Sequence, residues 1–320
     1  MTCHNCQIAC NRFGKHRNGL QRFRCSQCRK TFTAEHTRPL DDMRLPVEKA
    51  EAILKLLVEG MSIRSIERVT QVHRDTILSL LTLAGTRCQA LLDSKVRNLN
   101  CRRLQMDELW CFVQKKQRHV KKDDPDEFGS NWIFVAMCPD TKLVVSHSIG
   151  KRSLGHTQEF TWNTYQRMSG KERIQVTTDG LNHYRHAVVE AFGSEVDFAQ
   201  LTKLFGDYGQ FDSPDARYSP SPIKEVISKV RRGNPDPDHI STSYIERQNL
   251  TLRMQIRRLT RLTNAFSKKS DNLKAALALH FAWYNFCRVH KSLRVTPAMQ
   301  CGISSHVWDM SELLFSPSPS

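Results

Sequence analysis

Two cysteine knuckles, Cys3-x2-Cys6 and Cys25-x2-Cys28, lie 18 residues apart at the start of a 320-residue chain. Each knuckle sets two thiolates on one tight turn, and two such turns make a tetrahedral sulfur site that suits zinc. His4, Cys10 and His16 could compete for a ligand place, but the paired spacing favours Cys3, Cys6, Cys25 and Cys28. A segment this short cannot bury enough apolar surface to fold alone, so a bound ion would also be its source of stability. The expectation for residues 1–38 is a zinc ribbon. That stretch carries eight Lys/Arg against one acid, a balance suited to phosphates.

The excess of positive charge runs through the whole chain. Its 48 Lys/Arg outnumber 32 Asp/Glu, a net charge of +16, so a polyanion, nucleic acid first, is the expected partner. No apolar run reaches the roughly 18 residues of a membrane span, and the N-terminus shows no signal-peptide pattern. The chain is therefore expected in the cytoplasm, associated with the nucleoid, where its 11 cysteines stay reduced or bind metal.

From Pro46 to about Leu92 the apolar spacing is helical. Ala50, Ile53, Leu54, Leu57 and Val58 mark one helix face, and Gly60 ends it. Ser62 is placed to cap a short second helix, and a turn at Thr70–Val72 leads to a third with Ile77, Leu80, Leu81 and Ala84. This layout predicts a helix-turn-helix at 46–93, with His73, Arg74, Asp75 and Thr76 at the DNA-reading end. A helical hairpin packed on the next domain has the same pattern.

Beyond Cys101 three β-rich runs, Arg102–Val113, Asn131–Cys138 and Lys142–Ile149, predict an antiparallel meander. Helix, strand and helix follow at His156–Met168, Glu172–Thr177 and Asn182–Phe192, which predicts an α/β layer compatible with an RNase H-like core, a mixed sheet flanked by helices. Three acids stand out on this scaffold. Asp107 lies in a strand but beside Glu108; neighbours on a strand face opposite sides, so only one is expected in a shared site. Asp179 ends a strand in Thr178-Asp-Gly180, where it could instead cap the following helix. Glu246 sits in a helical, cation-rich stretch and could simply pair with an arginine. Carboxylates gathered from two strands and a helix can hold a pair of magnesium ions, the requirement for cutting and rejoining phosphodiesters.

Residues 205–238, with prolines at 214, 220, 222, 235 and 237, read as a long loop or insertion. Residues 247–300 carry 11 Lys/Arg against Asp271 alone, and beside an acidic site they read as a cradle for a DNA backbone. Trp283, Tyr284 and Phe286 are expected in the core.

Met106-Asp-Glu-Leu-Trp-Cys-Phe-Val113, Thr178-Asp-Gly180 and Ile245-Glu-Arg-Gln-Asn-Leu-Thr-Leu-Arg253 resemble the three catalytic blocks of DDE transposases, and the upstream ribbon and helix-turn-helix are similar to the DNA-binding half of the bacterial insertion-sequence-one family. The segment Arg288–Met299 is similar to the closing segment of many insertion-sequence transposases, so the resemblance spans about residues 3–303. The resemblance implies a catalytic domain at 101–300, with 301–320 as a tail. It makes Asp107, rather than Glu108, a ligand of Mg²⁺ or Mn²⁺ together with Asp179 and Glu246. It implies DNA contacts by Asn249, Arg253 and Arg257, terminal inverted repeats and target DNA as partners, and at least a homodimer to bring two ends together. The interval from Asp179 to Glu246 is longer than in the family's prototype. The competing expectations are a DNA-binding regulator with an inactive nuclease-like domain, and a nuclease that hydrolyses without joining.

Overall fold

The computed structural model describes residues 1–16, 20–34, 40–41, 43–170, 172–206 and 223–315. They form two compact units, Met1–Arg44 and Leu45–Ser320. The first unit is a three-stranded antiparallel sheet of β1 (Asn11–Lys15), β2 (Gln21–Arg24) and β3 (Thr31–Thr33), paired in chain order. Its knuckles are tight turns: the Cys3 carbonyl accepts from the Gln7 N–H and the Cys25 carbonyl from the Arg29 N–H. Gln7 and Arg29 take positive φ to close them. Residues 17–19 and 35–38 of the expected ribbon lie outside the described residues.

The second unit opens with α1 (Val47–Val58), α2 (Ile63–Thr70) and α3 (Arg74–Lys95). Gly60, at φ +82°, ends the first of these, and a Cβ there would stand 2.6 Å from the Met254 carbonyl oxygen. Ser62 caps α2 by accepting from the Ser65 N–H at 3.1 Å. Gln71, in the left-handed region at φ 56°, makes the turn into α3. The apolar faces of the three helices bury Ile53, Leu54, Ile66, Ile77, Leu80 and Leu81. These helices share one compact unit with the sheet. The joint is α3 against α7 (Ser270–Ala282), packed so closely that a Cβ on Gly85 would lie 2.5 Å from the Ala275 Cα. Gly85→Leu is therefore expected to cost about 1–3 kcal/mol through overpacking, read as a lower denaturation midpoint, whereas Ser79→Ala on the exposed side should not.

The sheet has six strands in the order β6-β5-β4-β7-β8-β9. β4 (Arg103–Val113), β5 (Gly129–Met137) and β6 (Val144–Gly150) form the expected antiparallel meander, and α4 (Leu154–Tyr165) follows. β7 (Ile174–Thr178) then pairs with β4 in parallel, with Met106 opposite Thr178. After α5 (Tyr184–Phe192), β8 (Val196–Phe205) continues the parallel pairing and β9 (Ile223–Arg232) returns antiparallel at the edge. Of the long loop or insertion expected over 205–238, the loop alternative is corrected for residues 223–232, which are a strand; residues 207–222 lie outside the described residues. The strand escaped notice because it is an edge: Ile223, Val226 and Val230 are exposed, and lysines and arginines interleave them, which blunts edge-to-edge association.

Helices cover both sheet faces, and the register shows which residues look where. Asp107, Val135 and His147 are opposite one another across β4, β5 and β6, so they share a face. That face meets α6 (Ser243–Gln255) and α7, through an Asn249–Asp107 hydrogen bond and a His147–Phe281 ring contact at 4.6 Å. Glu108, Phe134 and Ser148 share the other face, where Phe134 and Ser148 meet Phe160 and His156 of α4. The last long helix ends in a π-helical turn at Trp283–Cys287, followed by the short helices α8 (Pro297–Gln300) and α9 (Met310–Phe315). Tyr284 and Phe286 are buried as expected, and Asn285 pairs with both backbone groups of Val144. Among the described residues no helix is long and apolar enough to cross a membrane.

Candidate metal centre and nucleic-acid interface

Register brings the first two acids together. β4 and β7 run parallel with Met106 beside Thr178, so the next residues, Asp107 within β4 and Asp179 just past the end of β7, lie side by side. β7 stops there, and the Asp179 loop is fixed from two directions. Asp179 Oδ1 accepts from the Leu181 N–H at 3.1 Å. Buried Gln200 on β8 donates to the carbonyl oxygens of Asp179 and Leu181, each at 2.9 Å. Asp179 does not cap α5, whose N-cap is His183. Gly180 matters for space, since a Cβ there would lie 2.8 Å from Thr202 Oγ1.

Glu108 joins the same cluster, which corrects the expectation that only one of the neighbouring pair could. Carboxylate oxygens of Asp107, Glu108 and Asp179 lie within 4.8 Å of one another. The alternation rule holds for Cα–Cβ directions, and Glu108 does start from the opposite face. Because β7 ends at Thr178, no strand flanks β4 on that side at Glu108, and its longer side chain shares the space past the strand edge. Arg152, just before α4, pairs with Glu108 at 2.6 Å and with Asp179 at 3.7 Å.

The third acid comes from α6, which is docked by a side chain that sequence reasoning missed. Gln105 is buried in β4, and its Oε1 accepts from the N–H groups of Tyr244 and Ile245 at 3.1 and 3.0 Å. It thus satisfies first-turn donors that a helix leaves unpaired. One turn on, Asn249 Nδ2 donates to Asp107 Oδ2 at 2.8 Å. Glu246 lies outside the three-carboxylate group. Its carboxylate is ion-paired with Lys203 of β8 and accepts from Thr242 Oγ1 at 2.7 Å. Its negative charge still raises the proton affinity of both Asp107 and Asp179.

Burial and then the charge of Asp179 push Asp107 up to about 7, and the same two causes push Glu108 up to about 8. Burial also raises Asp179. A site that holds protons where the unfolded chain would not has a definite linkage sign. Between about pH 4 and the raised values the folded state binds more protons, so stability falls as pH rises through 7–8. In magnesium-free buffer Asp107→Asn is expected to melt higher than the parent, with a gap that widens from pH 5 to pH 8; a parallel pair of melting curves would refute this. The same carboxylates suit a hard divalent cation, whose charge would relieve their repulsion. Within the first unit, the Sγ atoms of Cys3, Cys6, Cys25 and Cys28 lie within 4.8 Å of one another, and Cys3 and Cys28 are 3.6 Å apart. Tetrahedral zinc with bonds of about 2.3 Å sets its sulfurs roughly 3.8 Å apart, so this group fits that ion.

The expected DNA contacts separate into two kinds. Arg74 and Arg257 are exposed, at the start of α3 and just after α6, and Thr76 is half-buried within the first turn of α3. Arg253 is held inward, donating to the carbonyls of Leu259 and Trp110 at 3.2 and 3.3 Å. Asn249 is buried on Asp107.

No protein-family model matches the chain, and no curated protein does. Among solved structures it is similar to the Mos1 Strand Transfer Complex, at 18% identity over 51% of this chain and 59% of that one, with a TM-score of 0.21. It is similar to the mariner Mos1 paired end complex with Mg, at 12% identity over 79% of this chain and 81% of that one, with a TM-score of 0.22. A piggyBac transposase synaptic complex with hairpin DNA is similar over 88% of this chain and 71% of that one, at 11% identity and a TM-score of 0.39. The chain spans about three fifths of the length of the first of these.

Proposed function

We propose that this chain is a DDE transposase, one that binds the terminal inverted repeats of an insertion sequence and cuts and joins DNA strands with divalent metal. The observation that carries the reading is the juxtaposition of Asp107 and Asp179 on adjacent parallel strands, with α6 bringing Asn249 onto Asp107 and Glu246 within electrostatic reach of both. The mixed strand order, with carboxylates on its two central neighbours, supports an RNase H-like catalytic domain. Asp107, Asp179 and Glu246 would hold the metal, with Glu108 beside them. When bound, divalent ions activate an attacking oxygen and stabilise the leaving one. Asn249 keeps Asp107 turned toward the site, and Gln200 fixes the Asp179 loop. Arg152 pairs with Glu108 and Asp179, and Lys203 pairs with Glu246, so each offsets carboxylate charge that a bound cation would also offset. The four clustered cysteines would hold structural zinc, and the basic first unit and α3 would supply contacts to the transposon ends.

The deciding experiment is a strand-cleavage assay on duplexes carrying the inverted repeats that flank the gene. Nicks at the repeat ends that need Mg²⁺ or Mn²⁺, followed by joined products, are the expected result. Nicks without joining would indicate a nuclease, and tight repeat binding without nicks would indicate a regulator.

A further inference from the structure

The three acids assigned to the metal centre are held in two different ways. Asp107 accepts from neutral donors, the Glu108 N–H at 2.9 Å and Asn249 Nδ2 at 2.8 Å. Asp179 Oδ1 likewise accepts from the Leu181 N–H. An ionised carboxylate has about four lone-pair sites, so oxygens engaged this way still have electrons to offer a cation. Glu246 is different. The Lys203 ammonium donates to both of its oxygens, and Oε1 also accepts from Thr242 Oγ1 at 2.7 Å. A metal ion that is to use this carboxylate must first displace a positive charge from it.

The surroundings make that displacement easy. The Lys203 side chain is 23% exposed and that of Glu246 43%, and ion pairs open to water are weak and readily exchanged. Glu246 is also close to where it would act. It lies one turn before Asn249 on the same face of α6, and Asn249 already touches Asp107. A change of side-chain rotamer, with α6 left in place, is the motion required. Lys203 in turn lies beside a basic edge. It stands opposite Val226 of β9, and β9 carries Lys224, Lys229, Arg231 and Arg232, all exposed, against the single acid Glu225. A phosphate drawn to this edge competes with Glu246 for the ammonium.

We propose that Lys203 is a positioning residue that acts through Glu246 as a latch: in the free protein it holds this carboxylate off Asp107 and Asp179, and a DNA phosphate that takes the ammonium releases Glu246 to the metal. The inference rests on the reading of Glu246 as a metal ligand and adds a regulation of that site. DNA and divalent metal then bind cooperatively, because each favours the same released state of Glu246. Such coupling is reciprocal, so it can be read from the metal side or from the DNA side.

The first arm of the test is calorimetric titration of the DNA-free full chain with Mn²⁺. Lys203→Met should bind the ion about tenfold more tightly than the parent, the size of a typical coupling. Lys203→Arg keeps a cation able to pair with both oxygens and should behave as the parent. The gain must pass through Glu246, so in a Glu246→Gln background Lys203→Met should lose most of it. An equal gain in that background would mean that Lys203 simply repels the ion, and overturns the proposal. So does a Lys203→Met protein with the parent's affinity. The second arm reads fluorescence anisotropy on a short duplex of unrelated sequence. Mn²⁺ should tighten binding by the parent about tenfold more than binding by Lys203→Met or Glu246→Gln. The same response in all three proteins overturns the proposal. Neither arm reads cleavage. A chain that meets both expectations and never nicks its repeats loses the transposase reading and keeps the latch, whereas one that nicks and fails them keeps the reading and loses the latch.

Discussion

Asp107→Asn and Asp179→Asn should each lower metal-dependent strand cleavage by about a thousandfold or more, as expected when a charge that holds the reacting centre is removed from a buried site. Binding to the repeat duplex should persist, because these carboxylates contribute negative charge and no phosphate contact. The substituted amides keep the size of the side chains. Asn249 still has an oxygen to donate to at position 107, and Leu181 one to donate to at position 179, so local structure should survive. Glu246→Gln is expected to match them, although its carboxylate is paired with Lys203 outside the three-carboxylate group. Glu108→Gln gives the informative contrast. Its side chain is only 2% exposed and bonded to Arg152, so its substitution should weaken metal affinity more than maximal rate. Raising Mn²⁺ should therefore rescue Glu108→Gln and leave Asp107→Asn inactive. Substantial cleavage by Asp179→Asn would remove the basis for the proposed function.

The difference between Glu108 and Asp107 also marks how far the sequence carries. Alternation on β4 correctly separates the two side chains into opposite faces, as Phe134 and Val135 across the sheet demonstrate. The sequence does not disclose that β7, distant in the chain, ends one residue short of Asp107's level and frees the strand edge for Glu108. Gln105, Arg152, Gln200 and Lys203 were invisible for the same reason: each acts through a partner set by non-local pairing. Local signals fared better. The Ser62 cap, the Gly60 break and the helical faces of α1 to α3 depend on neighbours within a turn or two, and they stand where spacing put them. The edge strand β9 defeated pattern reading because its apolar residues face no core.

Removing metal from the cysteine cluster should unfold residues 1–44. In that unit Leu40 is the single buried aliphatic residue among those described; the other buried apolar side chains are Cys3 and Cys25 themselves. Phe13 is 42% exposed, lying under Arg22 and Arg24 rather than in a core. Three short strands without an apolar interior cannot offset the entropy of ordering them, whereas structural zinc supplies about 10–16 kcal/mol at neutral pH. Purified protein should therefore carry about one zinc per chain. A strong chelator should expose residues 1–44 to proteolysis while Leu45–Ser320 keeps its helical circular dichroism. Cys25→Ser should do the same without chelator. Proton competition adds a pH signature. The N–H groups of Cys28 and Gln27 hold the Cys25 thiol down to about 6, but burial and the neighbouring thiols push Cys6 up to about 12. Cys6 must lose its proton to bind, so zinc affinity should climb with pH across the neutral range. A metal-free protein whose first 44 residues still give dispersed amide resonances would show that the sheet folds without the ion, and would leave the four thiols needing another explanation.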